Sequence, residues 1–212
     1  MATSSMKSKQ VRTTKLSLIH NEKRRSSLSD DELIIFVLGG PGSGKGTQCK
    51  MIAQRDDQFC HLSVGDLLRL EQESGSKHGT MIKNYIKEAK LVPSEIVVDL
   101  ILQAMKRSGK KKFLIDGFPR NEENRVAFYS ACQLKPKFVL YLSCSKEVMV
   151  QRLLCRQQGR EDDNIETIRK RLKVFENSSL PVIEYYRSVG ILQEINSEMP
   201  VEEVFKEIAQ VF

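Results

Sequence analysis

The run Gly39-Gly40-Pro41-Gly42-Ser43-Gly44-Lys45-Gly46-Thr47 is the stretch of this chain whose composition is best suited to chemistry. Its glycines let the backbone turn tightly and bring N–H groups up to the oxygens of an anion. Lys45 adds a charge that can reach terminal phosphates, and a helix beginning near Gly46 aims its positive end at the same place. The spacing fits G-x-x-x-x-G-K, with one departure: Gly46 follows Lys45, and Thr47 comes one place later than the plain consensus puts its hydroxyl residue. The bland alternative is a glycine-rich turn. An apolar run immediately before and a helical pattern after argue for a phosphate cradle instead.

Arginines form the second chemical set. Transfer of a phosphoryl group gathers negative charge on oxygens, and the protein's part is positioning and electrostatic stabilisation. Arginine offers a fixed planar fork of donors for this work. A lone surface arginine is usually a solvated one. Here Arg69 closes His61-Leu62-Ser63-Val64-Gly65-Asp66-Leu67-Leu68-Arg69, Arg120 sits in Asp116-Gly117-Phe118-Pro119-Arg120-Asn121, and Arg160 opens Arg160-Glu161-Asp162-Asp163-Asn164, with Arg171 beyond it and Arg152 and Arg156 before it. Asp116 ends an apolar run and faces the phosphate site. It suits an outer-sphere partner of Mg²⁺, an ion that keeps several waters and binds phosphates directly. Asp66 reads as a local cap and His61 as a structural residue at a strand end. Asp162 and Asp163 either pair with nearby arginines or cap the helix beginning near Asn164.

These residues need elements to carry them. Ile34–Leu38, Lys112–Gly117 and Lys137–Leu142 are short apolar runs of the kind buried on both faces of a sheet, with Ile191–Ile195 a shorter fourth and Phe59–Leu62 a brief fifth. Apolar residues at helical spacing mark Met81–Lys90, Ser94–Met105, Ile165–Phe175 and Val201–Phe212. Strands alternating with helices imply βαβ units and a parallel sheet, whose ligands bind outside the carboxyl ends of the strands.

The loop GGPGSGKGTQC resembles the phosphate loop of the adenylate kinase superfamily, the nucleoside monophosphate kinases, and the three arginine-bearing segments follow in the same order. The resemblance covers about residues 34–212. Within it, Gly159-Arg160-Glu161-Asp162-Asp163-Asn164 and the following helix are most similar to the UMP/CMP kinase branch, particularly its plant members. It implies an α/β P-loop fold, a five-stranded parallel sheet flanked by helices, with a mobile monophosphate-binding insert at about 63–92 and a short lid at about 155–165. It implies Mg²⁺-dependent transfer of the γ-phosphoryl of ATP onto UMP or CMP by a monomer, with dCMP as a further acceptor and adenylate kinase activity as the alternative. By the same resemblance Gly42, Ser43, Gly44, Lys45, Gly46, Thr47, Arg156 and Met199 hold ATP. Arg69, Lys90, Leu91, Val92, Gly117, Phe118, Pro119, Arg120, Asn124, Arg160 and Arg171 hold the monophosphate, and Lys45, Arg120, Arg160 and Arg171 act in catalysis. Asn124 and Asn121 are similar to the pyrimidine branch, and an amide can read a pyrimidine edge because it both donates and accepts. Val64 stands where adenylate kinases commonly have Thr. Only three residues separate Arg156 from Arg160, which excludes a long zinc-bearing lid.

Composition bounds the rest. The 212 residues suffice for one compact domain. Hydrophobic residues at 40% and charged residues at 29% are ordinary usage, and no stretch approaches the roughly 18–20 apolar residues of a membrane span. Five cysteines without a C-x-x-C pair speak against a disulfide framework and for a reducing compartment. The net charge of +7 suits a phosphate-rich partner. Residues 1–33 are rich in Ser, Thr and Lys and read as a disordered or targeting tail. A cytoplasmic, also nuclear, address is expected, with an organelle as the alternative if that segment is a transit peptide. A regulatory GTPase would carry N-K-x-D, which is missing. A nucleic-acid binder would need a basic stripe with aromatics, and aromatics are only 7%.

Overall fold

The computed structural model describes residues 31–155 and 164–212. Among them, five strands form one parallel sheet: β1 (Leu33–Leu38), β2 (Phe59–Ser63), β3 (Lys112–Asp116), β4 (Phe138–Ser143) and β5 (Leu192–Asn196), in the order β2-β3-β1-β4-β5. The first strand is central. Later strands add to one side of it and then to the other, so the order reverses beside β1, and the crevice for a ligand opens at its carboxyl end.

The apolar runs that mark the strands are explained by burial on both faces. Along β1, Ile34, Phe36 and Leu38 join one core and Ile35 and Val37 the other, all 3% exposed or less. The first core packs Phe36 against Phe118, Phe128 and Tyr186 in edge-on ring contacts with Phe118 and Phe128 at 5.5 Å. It is covered by α2 (Val64–Glu73), α3 (Gly79–Lys87), α4 (Ser94–Ser108), α5 (Glu122–Cys132) and α8 (Leu180–Ser188). The second is covered by α1 (Lys45–Arg55) and α9 (Val201–Ile208), through Cys49, Ile52, Val204 and Ile208. A smaller cluster of Met149, Leu153, Ile168 and Leu172 joins α6 (Lys146–Leu154) to α7 (Ile165–Val174).

Element ends have local causes. The α3 helix stops at Lys87, short of the Lys90 read from periodicity, because Ala89 turns left-handed at φ +54° and Lys90 N–H donates back to the Tyr85 carbonyl at 2.8 Å. Gly109, at φ +65°, ends α4. The last helix ends at Ile208 rather than Phe212, whose ring instead packs on Phe59 and Phe138 at 5.5 and 5.4 Å. Four helices, α2, α5, α6 and α8, were not read from periodicity. The α7 helix runs into a five-residue π-helical turn, Phe175–Ser179, before α8. Pro181 follows in the first turn of α8 and cannot donate to the carbonyl four residues back, so the ladder widens ahead of it.

Asn164 caps α7, its Oδ1 accepting from Thr167 N–H at 3.0 Å. Asn164→Ala is expected to cost about 1 kcal/mol, measurable in urea unfolding, with no change in the Lys45 loop. Among the described residues no helix is long and apolar enough to cross a membrane, and Cys49, Cys60, Cys132, Cys144 and Cys155 are all free thiols.

Candidate active site

The loop after β1 needs its glycines for two different reasons. Gly42 has φ +87°, and a Cβ there would stand 2.6 Å from the Met149 carbonyl oxygen. Gly39 has φ +150°, and a Cβ there would stand 2.5 Å from Ser43 Oγ and 2.8 Å from the Leu142 carbonyl oxygen. The loop is therefore pressed against the start of α6 and the end of β4. Gly42→Ala is expected to lose about 2–3 kcal/mol of stability, seen as a lower urea midpoint, with weaker ATP binding in calorimetry.

Lys45 begins α1 and curls back over the loop. Its ammonium donates to the Gly39 and Gly40 carbonyls, each at 2.8 Å, and to Ser43 Oγ at 3.4 Å. Burial lowers its pKa to about 8, with Asp116 pulling the other way and the Arg120 and Arg171 guanidiniums adding to the depression. The sign of the pH effect follows. Between about 8 and 10.5 the unfolded chain holds a proton on this lysine that the folded chain has shed. Its burial therefore weighs on stability most fully below pH 8, and the penalty is relieved as pH rises through that window. Ligand binding runs opposite, because an anion needs the charged form. ATP affinity of the free protein is expected to fall as pH passes about 8, and binding at pH 8.5 to take up a fraction of a proton. Calorimetry in buffers of different ionisation enthalpy measures both.

Asp116 ends β3 beside β1, in register with Val37, and is 7% exposed. Its Oδ2 lies 3.2 Å from His61 Nε2, two residues before the end of β2, and 3.5 Å from where a Cβ on Gly46 would stand. His61 thus braces Asp116 against the first turn of α1. Asp116 and Thr47, from the first turn of α1, border one cavity. These are hard oxygen donors beside a phosphate loop, and they fit Mg²⁺ carried on ATP.

Arg69 and Arg120 are each set by a glycine. Asp66 is not the cap expected from sequence: Ser63 Oγ caps α2 by accepting from Asp66 N–H at 3.3 Å, which leaves the Asp66 carboxylate to pair with Arg69. A Cβ on Gly65 would stand 3.1 Å from the Arg69 guanidinium, so Gly65 lets that group lie across the helix start. Gly117, at φ +76°, does the same for Arg120, whose Nε donates to the Gly117 carbonyl at 3.0 Å. Ser179 Oγ, in the π turn, donates to the Arg120 carbonyl at 2.9 Å.

Two cavities meet here. One, of about 470 Å³, is bordered by Gly42, Ser43, Gly44, Lys45, Gly46 and Thr47, and beyond them by Arg152, Ser197, Met199 and Val201. The other, of about 140 Å³, is bordered by Lys90, Leu91, Val92 and Pro119 and by Phe175 and Ser179 of the π turn. Lys45, Arg69, Arg120 and Arg171, with Pro41, Gly65 and Gly117, border both. Four cationic side chains thus stand at the junction of two adjoining cavities. Arg152 is anchored beside the larger one, donating to the Ser197 and Glu198 carbonyls at 2.8 and 3.3 Å.

Some expected residues are placed elsewhere. Phe118 is fully buried in the aromatic core, so its side chain serves packing rather than the cavity. Val64 is likewise a core residue at 2% exposure. Asn124 is 3% exposed and borders neither cavity. Its Oδ1 accepts from Arg120 N–H at 3.2 Å and its Nδ2 donates to Ser94 Oγ at 2.8 Å, which ties the Arg120 loop to the start of α4. Arg156, Arg160, Asp162 and Asp163 lie outside the described residues. Sequence reasoning missed Gly65, Phe175 and Ser179. Pro181, five residues after Glu176 within an otherwise helical run, was the readable sign that the helix changes pitch there.

A phosphate loop at the switch point of a parallel sheet, opening on two joined cavities with cations between them, defines a P-loop phosphotransferase of the nucleotide kinase type. Comparison with known proteins agrees. A family model described as adenylate kinase matches residues 37–191. UMP-CMP kinase 3 of Arabidopsis thaliana is 59% identical over 179 residues, 84% of this chain and 88% of that protein. UMP-CMP kinase 3 of Oryza sativa subsp. japonica is 57% identical over 84% of this chain and 85% of its own length. Uridylate kinase of Saccharomyces cerevisiae is 45% identical over 84% and 90% respectively. The chain belongs to the adenylate kinase family.

Proposed function

We propose that this protein transfers the γ-phosphoryl group of ATP to UMP and CMP, yielding ADP and UDP or CDP. The observation that carries this reading is the junction itself: one space runs from the phosphate loop, another from Lys90–Val92, and Lys45, Arg69, Arg120 and Arg171 border both. Relatives named UMP-CMP kinase and uridylate kinase support the pyrimidine acceptor over AMP.

Transfer is direct and in line, so no covalent intermediate on a side chain is needed. The backbone N–H groups of Gly42–Thr47 and the start of α1 hold the ATP phosphates. Lys45 stands where charge grows on the oxygens in flight. Arg69 and Arg120 hold the acceptor phosphate, and Arg171 reaches the transferring group from α7. The family resemblance assigns Arg160 to the transferring group and Arg156 to the donor adenine; both lie outside the described residues. Asp116, through water, and Thr47 would hold Mg²⁺ arriving with ATP, and the ion would supply neutralisation of phosphate charge. Lys90, Leu91 and Val92 line the acceptor base, and Asn124 acts from behind by holding the Arg120 backbone and Ser94 in place. The expected lid, residues 155–165, falls largely outside the described residues. The protein acts as a monomer in the cytoplasm, which size-exclusion chromatography and imaging of the full chain test.

A coupled assay with UMP, CMP, dCMP and AMP at equal concentration decides the acceptor. UMP and CMP are expected to give the highest kcat/KM; strongest turnover of AMP would overturn the pyrimidine reading.

A further inference from the structure

We propose that Cys49, His61 and Asp116 form a binding site for a thiophilic divalent cation such as Zn²⁺ or Cd²⁺, and that filling it shuts the active site down. The binding stands on its own; only the inhibition rests on the function proposed above.

One ligand atom from each of the three, a thiol sulfur, an imidazole nitrogen and a carboxylate oxygen, lies within 4.8 Å of the other two. The three come from α1, β2 and β3, elements held together by the sheet and the second core, so the arrangement is built by the scaffold. His61 and Asp116 point to the same side because β2 and β3 pair in parallel with Ser63 opposite Asp116, and His61 lies two places before Ser63. Their 3.2 Å separation already suits two ligands of one tetrahedral ion with bonds of about 2.0–2.2 Å. A movement of about 1 Å by Cys49 would bring its sulfur to a bond length of about 2.3 Å.

The donor types select the ion. A sulfur, nitrogen and oxygen set with an open fourth position suits Zn²⁺ or Cd²⁺. It does not suit Mg²⁺, which demands six oxygens in near-octahedral geometry. Entry is available, since His61 and Asp116 border the larger cavity while Cys49, 0% exposed, lies behind them. On binding, the Cys49 S–H bond breaks, its proton leaves to solvent, and a sulfur–metal bond forms. Neither Cys49 nor His61 is assigned a contact with the nucleotides; His61 acts only by bracing Asp116. The cost falls on Asp116, whose carboxylate is drawn from the phosphate side, and on Lys45, which gains a cation nearby. Excess Mg²⁺ would not relieve such inhibition, because it cannot replace a thiophilic ion on this donor set.

The test uses the full chain, stripped with chelator and free of nucleotide. Titration with Co²⁺ should give a thiolate-to-cobalt absorption band at one equivalent, and calorimetry with Zn²⁺ a single strong site. Cys49→Ala and His61→Asn, each checked for folding by thermal melting, should lose the band or weaken Zn²⁺ binding by about tenfold or more. Cys155→Ala, at an exposed thiol, should leave both unchanged. Cys49→Ala should retain magnesium-supported turnover within about threefold and resist Zn²⁺ at concentrations that stop the wild type. A band that survives in Cys49→Ala, or equal Zn²⁺ sensitivity in that variant, would overturn the assignment. Because the spectroscopic readout involves no nucleotide, failure of the metal site and failure of the kinase reading are separately visible.

Discussion

Lys45→Met is expected to fold normally and to lose turnover by about 10²–10³-fold. Methionine keeps the length and much of the apolar stem but removes the only charge the phosphate loop itself carries. In the wild type that charge is preorganised. The ammonium is held by the Gly39 and Gly40 carbonyls at 2.8 Å, within a half-buried site where electrostatic effects are larger than in water. The fold should tolerate the change because the lysine's partners are loop carbonyls and one hydroxyl at the cavity, where water can replace it, while β1 and α1 keep their cores. A charge that binds ATP and gains weight in the transition state lowers kcat, lowers kcat/KM further, and raises the KM for ATP as well. Steady-state kinetics beside a thermal melt measures this. A kcat within tenfold of wild type would remove Lys45 from its assigned role.

Arg120→Ala is expected to raise the KM for the acceptor by about 10–100-fold and to lower kcat as well, with the KM for ATP changed less than about threefold. The asymmetry follows from position. Arg120 leaves the end of β3 and is pinned from three sides: Nε to the Gly117 carbonyl, its own carbonyl to Ser179 Oγ, and its N–H to Asn124 Oδ1. These bonds hold the guanidinium at the junction of the two cavities, where its proposed partner is the acceptor phosphate while the glycine cradle holds ATP. Arg120→Lys should recover only part of the loss, because an ammonium restores charge but not the two-pronged geometry. An unchanged acceptor KM in the alanine variant would refute the assignment.

The parts legible in sequence are those where local chemistry leaves little choice. Gly39–Thr47 could be read as a phosphate loop because a strand ended before it and its glycines allow conformations that other residues resist. All five strands were readable: the three inner ones as apolar runs, since burial on both faces demands them, and the edge strands Phe59–Ser63 and Leu192–Asn196 from shorter apolar pieces that are only partly buried. The α5 and α6 helices escaped notice because their apolar stripes are narrow. In α5 the buried residues are Asn124 and Phe128, and in α6 Met149 and Leu153, too few to set a period.

Sequence alone determined that a strand, a glycine cradle and a set of ordered arginine segments exist, because backbone freedom, side-chain charge and two-sided burial are properties a residue brings with it. Tertiary structure decided which of them meet. Strand order placed Asp116 beside the phosphate loop and His61 against Asp116, across separations of 71 and 55 positions counted from Lys45 and His61. The π turn ahead of Pro181 carried Ser179 to the Arg120 carbonyl, and packing took Phe118 into the core and Asn124 behind Arg120. Contacts between residues so far apart depend on sheet register and helix pitch. Both are set by the sum of the core's packing, which no local pattern of residues encodes.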